Sequence, residues 1–148
     1  MYDLIDRPVA LLAPGGRFML WAMRGWIQSA TKGHCPPGAL APAFARHGAL
    51  PALPHFHMLL AELNHRAIRQ IAFSPLPCGL IGEDEAVLLQ LCRDACDNPP
   101  HARATLELLL EEEAVGTAFG ALLSATTKLK EVGLADIAFE QDRATGLR

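Results

Sequence analysis

The sequence predicts an all-α fold: a single-domain bundle of five or six helices, with a flexible N-terminal arm over residues 1–14 and a C-terminal tail over residues 140–148. No segment alternates apolar and polar side chains with β-branched residues, so no strand is predicted. Apolar residues instead recur at helical spacing between clusters of proline and glycine, which interrupt helices. A chain of 148 residues with a hydrophobic fraction of 51% suits one domain with its own core.

The arm is predicted because Pro8 and the run Pro14-Gly15-Gly16 break regular structure. The first helix follows over residues 17–31, and Gly33 suits its C-terminal end. Four polar side chains share one face of this helix at helical spacing, namely Arg17, Arg24, Gln28 and Thr31. We therefore expect that face to be polar and the rest of the helix to supply the core.

The middle of the chain predicts a loop, GHCPPGALAP, a short helix over residues 41–47, and a longer helix from Pro54 to about Ile71. Gly82-Glu83-Asp84-Glu85 opens the next helix, because a helix dipole favours acidic residues in the first turn. The inner face of that helix is predicted to hold Leu88, Leu91, Cys92 and Ala95.

Asn98-Pro99-Pro100 marks the start of another helix, with a capping asparagine and prolines in the first turn. Helix is predicted over residues 99–132, either as one helix with a weak point near Val115-Gly116 or as two helices. The predicted core comprises Phe18, Trp21, Trp26, Phe56, Leu60, Leu63, Leu88, Leu91, Leu109, Phe119 and Leu122.

Composition limits the classes of protein to which this chain can belong. The formal net charge of −3 and the lack of a concentrated basic face argue against nucleic-acid binding. No uncharged apolar run reaches about 18 residues, so no membrane span is predicted. Asp3 and Asp6 stand where a signal peptide would be basic. A cytoplasmic protein is predicted, in which cysteines need not pair, and the many alanines and arginines are typical of a GC-rich bacterial genome.

Three histidines lie close together in LPHFHMLLAELNH, which raises the possibility of a metal site. On a helix, His55 and His57 point to opposite sides and cannot chelate one ion together. Glu62 and His65 have the spacing of carboxylate di-metal bundles, but no second such motif exists in the sequence. We expect His55, Glu62, His65 and Arg69 to form a polar helix face. We expect His57, nearer the core edge, to be a hydrogen-bonded structural histidine.

The cysteines offer a second candidate metal site. Cys92 and Cys96 share a helix face, and His101 follows, so a zinc site is conceivable. Core packing is favoured, since Cys92 continues an apolar stripe and buried free cysteine is common. His34 and Cys35 are adjacent in a loop, which rarely places a base correctly for a nucleophile.

Two further patterns concern surfaces. Gly116, Gly120 and Ser124 form a row of small residues, which predicts close packing against another helix, with Trp21 or Trp26 opposite. The alternative is that this row lines a groove for a small apolar ligand. An acidic patch, formed by Glu107, Glu111, Glu112 and Glu113, is expected either to be solvated or to meet arginines of a partner, including the Arg17/Arg24 face of a second copy.

These patterns favour a non-enzymatic interaction or regulatory module that forms a homodimer, with no cofactor and no catalytic or metal residues assigned. The dimer would be made by the apolar arm, whose side chains Leu4, Ile5, Val9, Leu11 and Leu12 would cross to the second copy. The alternative is a small-ligand or metal-binding bundle, with a pocket between the first helix and the Gly116/Gly120 face and a metal drawn to Glu62, His65, Cys92, Cys96 or His101. A third possibility is a hydrolase or transferase that uses His34, Cys35 and His57.

Overall fold

The computed structural model describes residues 3–137 and 139. These residues contain six α-helices: α1 Pro14–Thr31, α2 Pro36–Arg46, α3 Leu53–His65, α4 Glu83–Asp97, α5 Pro99–Leu109 and α6 Glu112–Glu131. Two short 3-10 turns precede α1 and α3, and the extended pairing within the described ranges is limited to three isolated bridges. The all-α prediction is confirmed.

Prolines begin three of the helices. Pro14, Pro36 and Pro99 each occupy the first position, where the missing backbone N–H would have no helical partner in any case. The run Pro14-Gly15-Gly16, predicted to break structure, is therefore the first turn of α1. A Cβ at Gly15 would collide with the carbonyl oxygens of Leu134 and Asp136. The loop predicted at Pro36-Pro37 is likewise wrong, because α2 begins there.

α3 ends at His65, six residues before the predicted end at Ile71. Its continuation pairs instead with the segment between α5 and α6. The N–H of Ile68 donates to the carbonyl of Leu109 (2.8 Å), and the N–H of Glu111 donates to the carbonyl of Arg66 (2.9 Å). These bonds replace the next helical turn, so the chain leaves α3 in an extended path.

The same pairing separates α5 from α6. Leu110 and Glu111 both have extended backbones, with ψ values of 156° and 145°. The alternative of two helices is correct, but the break lies before the predicted weak point near Val115-Gly116. A partner distant in sequence, the bridge from Ala67 to Leu110, fixes its position.

The core lies around α6, which packs against α3, α4 and α5, while α1 packs mainly against α2. Nine of the eleven predicted core residues are buried, Phe119 is half-buried, and Trp21 is 39% exposed. Several fully buried side chains were not predicted as core, namely Leu4, Leu12, Phe44, Ile81 and Phe139.

Residues 3–13 of the predicted arm lie against their own chain. Leu4 and Leu12 are both 0% exposed. The N–H of Asp6 donates to the carbonyl of Ile81 (2.9 Å), and that of Val9 donates to the carbonyl of Gly79 (2.9 Å). The arm's buried leucines are thus used within one copy. The predicted tail, residues 140–148, lies outside the described residues.

Candidate functional site

Arg24 was expected on the polar face of α1, but it is only 4% exposed and forms a buried ion pair with Glu85 of α4. Its Nε and Nη2 atoms donate to the two carboxylate oxygens at 2.7 and 2.8 Å. Its remaining donors bind the carbonyls of Cys78 (2.7 Å) and Leu80 (2.9 Å). The guanidinium therefore joins α1, α4 and the segment that precedes α4.

The carboxylate of Glu85 is also fully hydrogen-bonded within the protein. It is 0% exposed and accepts the backbone N–H groups of Gly82 (2.8 Å) and Ser74 (3.0 Å) as well as Arg24. The hydrogen bonds that Arg24 donates to Glu85 raise the pKa of Arg24. A pair with this many internal partners is structural. The sequence carried one signal for it: Arg24 is the only charged residue in the apolar stretch FMLWAMRGWI.

His57 is a hydrogen-bonded structural histidine, as predicted. The indole Nε1–H of Trp26 donates to its Nδ1 at 2.9 Å, and burial lowers the pKa of His57. A depressed pKa favours the neutral ring, which alone can accept this bond. Arg69 does not join the polar face of α3 as expected, because α3 has already ended and Arg69 pairs with Asp84 (2.8 Å).

The cysteine and histidine side chains do not assemble into a zinc site. Cys92 is buried, and burial raises its pKa to about 12, so its thiol packs in the core as predicted. His101 turns to Asp94, with Nδ1 and Oδ2 separated by 2.6 Å. Among the residues that the structure describes, no group of three His, Cys, Asp or Glu side chains could hold a metal.

The row of small residues on α6 faces solvent. Gly116 and Gly120 are exposed, and a Cβ at either position would meet no atom within 4 Å. Trp26 lies instead against His57, with ring centroids 5.8 Å apart. The predicted close helix contact at Gly116 and Gly120 is therefore wrong.

A different surface carries the most exposed large apolar side chains of the described chain. Leu108 on α5 is 80% exposed and Ile68 is 64% exposed. The backbone bond from Ile68 to Leu109, the neighbour of Leu108, brings both to the junction of α5 and α6. We define the junction face by these two and the charged side chains around them: Arg66, Ile68, Arg103, Glu107, Leu108, Glu111, Glu112 and Glu113.

The junction face contains the predicted acidic patch, and part of that patch is paired within the chain. Arg66 Nε lies 2.6 Å from Glu111 Oε2, and Arg103 Nε lies 3.5 Å from Glu107 Oε1. These side chains are roughly half exposed, so water screens both pairs. A cavity of about 540 Å³ opens between Ile68 and these charged groups.

A second concave surface lies between α1 and α2. This cavity, of about 360 Å³, is lined by Pro14, Arg17, Phe18, Trp21, Ala43, Arg46 and His47. The ring of Phe18 lies 4.9 Å from the ring of His47 and 6.2 Å from that of Trp21. We call this surface the Trp21 groove. The sequence had placed Trp21 in the core and so gave no indication of the groove.

None of the described helices combines the length and apolar character needed to cross a membrane. Comparison with family models, curated proteins and solved structures returns no match to this chain. The junction face and the Trp21 groove are therefore the features of the described chain that bear on its function.

Proposed function

We propose that the protein is a non-enzymatic interaction module that acts as a homodimer and pairs through the junction face. The main supporting observation is the exposure of two large apolar side chains at the junction of α5 and α6. Leu108 is 80% exposed there and Ile68 is 64% exposed. Exposed apolar residues are ordinary when scattered singly. Here Ile68 is backbone-bonded to Leu109, the neighbour of Leu108, and a cavity opens beside Ile68. Two exposed apolar side chains at one such junction are better explained by a surface that becomes covered.

The layout of the junction face supports a protein partner. Protein interfaces combine an apolar centre that becomes dry with a polar rim that stays wet. Leu108 and Ile68 supply the centre, and half-exposed charged residues such as Arg66 and Glu111 supply the rim. Most binding free energy is gained where side chains near the centre of an interface become fully desolvated.

The charges favour a second copy as that partner. A two-fold interface brings the same patch from both subunits together, so the patch must complement itself. The junction face carries cations at Arg66 and Arg103 and anions at Glu107, Glu111 and Glu113. After a two-fold rotation, arginines of one copy can meet glutamates of the other.

The interface size is also reasonable. A standard interface removes roughly 800 Å² of surface from each partner. The described residues expose 7589 Å², so such an interface would take about a tenth of the surface. The N-terminal arm is not needed, since Leu4 and Leu12 are buried within one copy.

The same proposal includes a bacterial cytoplasmic setting. All four cysteines, Cys35, Cys78, Cys92 and Cys96, are free thiols. Thiols persist in reducing compartments, whereas exported proteins usually pair them. A non-catalytic role is supported by the use of reactive side chains in structural contacts, as with His57, which accepts a hydrogen bond from Trp26, and the thiol of Cys92 in the core.

Analytical ultracentrifugation of the full chain, with Leu108→Ser as the variant, tests the proposal. We expect the wild type to sediment as a dimer at micromolar concentration. Leu108→Ser should raise the dimer dissociation constant about 30-fold or more, as for a central interface residue present twice. Since Leu108 is exposed in the single chain, the variant should keep its fold.

Leu50→Ser is the matched control, because Leu50 is also an exposed leucine (47%) but lies outside the junction face. It should sediment like the wild type. A wild type that stays monomeric up to about 100 μM, a concentration at which even weak specific dimers form, would overturn the proposal. Equal dimerisation of Leu108→Ser and Leu50→Ser would overturn the assignment to the junction face.

A further inference from the structure

The Trp21 groove combines an exposed indole with cationic side chains. Trp21 is 39% exposed, although its neighbours on either side in α1, Leu20 and Ala22, are buried. Phe18 lies at the base of the groove, where its ring also meets the edge of Phe44 at 4.9 Å. The aromatic wall is therefore held in place by core packing, which keeps the indole in a defined position.

Several basic side chains line the groove. Two guanidinium groups, Arg17 and Arg46, line it, together with the imidazole of His47, and none of its lining residues is acidic. Arg17 is held by backbone carbonyls of the arm, including that of Leu12 at 2.5 Å. Its position beside Trp21 is thereby fixed.

Arg46 differs from most of the arginines that the structure describes. Five others have a carboxylate within ion-pairing distance, namely Arg24, Arg66, Arg69, Arg93 and Arg103. Within residues 3–137 and 139, no carboxylate lies within that distance of Arg46. Its side chain is exposed at the end of α2, and its guanidinium borders a cavity with an aromatic wall.

We propose that the Trp21 groove binds a small planar organic anion, of the class of aromatic carboxylates. The ring of such a ligand would stack on the indole of Trp21. Its carboxylate would accept hydrogen bonds from the planar guanidinium of Arg46, an arrangement that arginine makes better than lysine. The cavity of about 360 Å³ lies within the range of small-molecule sites and accepts a single substituted ring.

This inference does not depend on the junction face, which is built from α5, α6 and the segment after α3, whereas the Trp21 groove lies between α1 and α2. Ligand binding and dimer formation therefore have separate tests. Either one can fail without affecting the other.

Nuclear magnetic resonance offers a direct test, because the chain has two tryptophans and so two indole N–H signals. The indole of Trp26 is bonded to His57 inside the protein and serves as an internal control. Benzoate, added to the ¹⁵N-labelled full chain, should shift the Trp21 signal saturably and leave that of Trp26 unmoved. A roughly millimolar dissociation constant is expected for a ligand of this size. Trp21→Phe assigns the two signals.

Matched ligands and variants measure separately how much the ring and the negative charge of the ligand contribute to binding. Benzamide keeps the ring without the charge, and acetate keeps the charge without the ring; each should bind at least about tenfold more weakly than benzoate. Arg46→Gln should weaken benzoate binding by a similar factor, whereas Arg69→Gln, an exposed arginine outside both the groove and the junction face, should not. No shift of the Trp21 signal, equal binding of benzoate and benzamide, equal binding of benzoate and acetate, or unchanged binding by Arg46→Gln would each overturn the proposal.

Discussion

Two arginine–glutamate pairs in this molecule have nearly the same shortest N–O distance and opposite surroundings. Arg24 and Glu85 lie 2.7 Å apart, with side chains 2% and 0% exposed. Arg66 and Glu111 lie 2.6 Å apart, with side chains 42% and 50% exposed. The first pair joins α1 to α4, and the second joins the end of α3 to the start of α6.

The difference shows that the distance between the charges alone does not set how much an ion pair contributes to the stability of the fold. In the buried pair the charges have lost their water, so each donor and acceptor needs a protein partner, and the carbonyls of Cys78 and Leu80 and the N–H of Ser74 supply several. In the exposed pair water can replace either partner. The first pair therefore maintains the fold, and the second can rearrange when a partner covers it.

Glu85→Ala tests the buried pair and should have the largest effect. It leaves the guanidinium of Arg24 buried without a counter-charge and removes the acceptor for the N–H groups of Gly82 and Ser74. Breaking one side of a buried pair typically costs about 3–5 kcal/mol. Urea unfolding followed by circular dichroism should show this loss in the free energy of unfolding.

The double variant Arg24→Met/Glu85→Leu is the control for the charge itself. It removes both charges and keeps the volume, so it should be more stable than Glu85→Ala alone. The carbonyls of Cys78 and Leu80 lose their donors, so wild-type stability is not expected to return in full. A double variant no more stable than Glu85→Ala would show that the unpaired charge is not the main cost.

Sequence alone predicted the parts of the fold whose signals are local. The start of α4 at Glu83 and of α5 at Pro99 follow from first-turn acids, a capping asparagine and first-turn prolines. His57 at the core edge also follows from helical spacing. These signals act within a few residues, so they can be read without knowledge of the rest of the chain.

The features that were missed depend on distant partners. The apolar stretch around Arg24 is a signal for its burial, but nothing in that stretch identifies the partner, Glu85, which lies 61 positions away. α3 ends early because Ala67 pairs with Leu110. The small residues Gly116 and Gly120 have a spacing common in helix contacts, but the rotation of α6 turns them to solvent. Both candidate surfaces result from such distant contacts.

Asp84 provides an intermediate case, with a side chain 14% exposed beside an Arg69 that is 57% exposed. Its carboxylate accepts from Arg69 and from the backbone N–H of Ala72 at 2.7 Å. Asp84→Asn should lower the free energy of unfolding by about 1 kcal/mol at pH 7, the order of one hydrogen bond. Urea unfolding against pH gives the measurement.

The pH dependence identifies the charge as the cause. The hydrogen bond from Arg69 holds the pKa of Asp84 below its usual value of 3.8. The stabilisation is therefore complete above that value and is lost as the pH falls through the lowered pKa in the folded state. The difference between wild type and Asp84→Asn should shrink below pH 3.8. A difference that stays constant on acidification would assign it to packing instead.

Arg66→Ala should have the smallest effect on folding, although its ion pair is the shorter of the two compared here. Water and the remaining freedom of Glu111 compensate for the lost contact, so the urea midpoint of the single chain should move by less than its reproducibility. Glu111→Ala should also leave the urea midpoint of the single chain within its reproducibility. A loss of unfolding free energy as large as that of Asp84→Asn would contradict the comparison.

If the junction face is covered in a dimer, the same Arg66→Ala change should weaken dimerisation. The reason is that the exposed ion pair, which water screens in the single chain, becomes desolvated only when a second copy excludes the water.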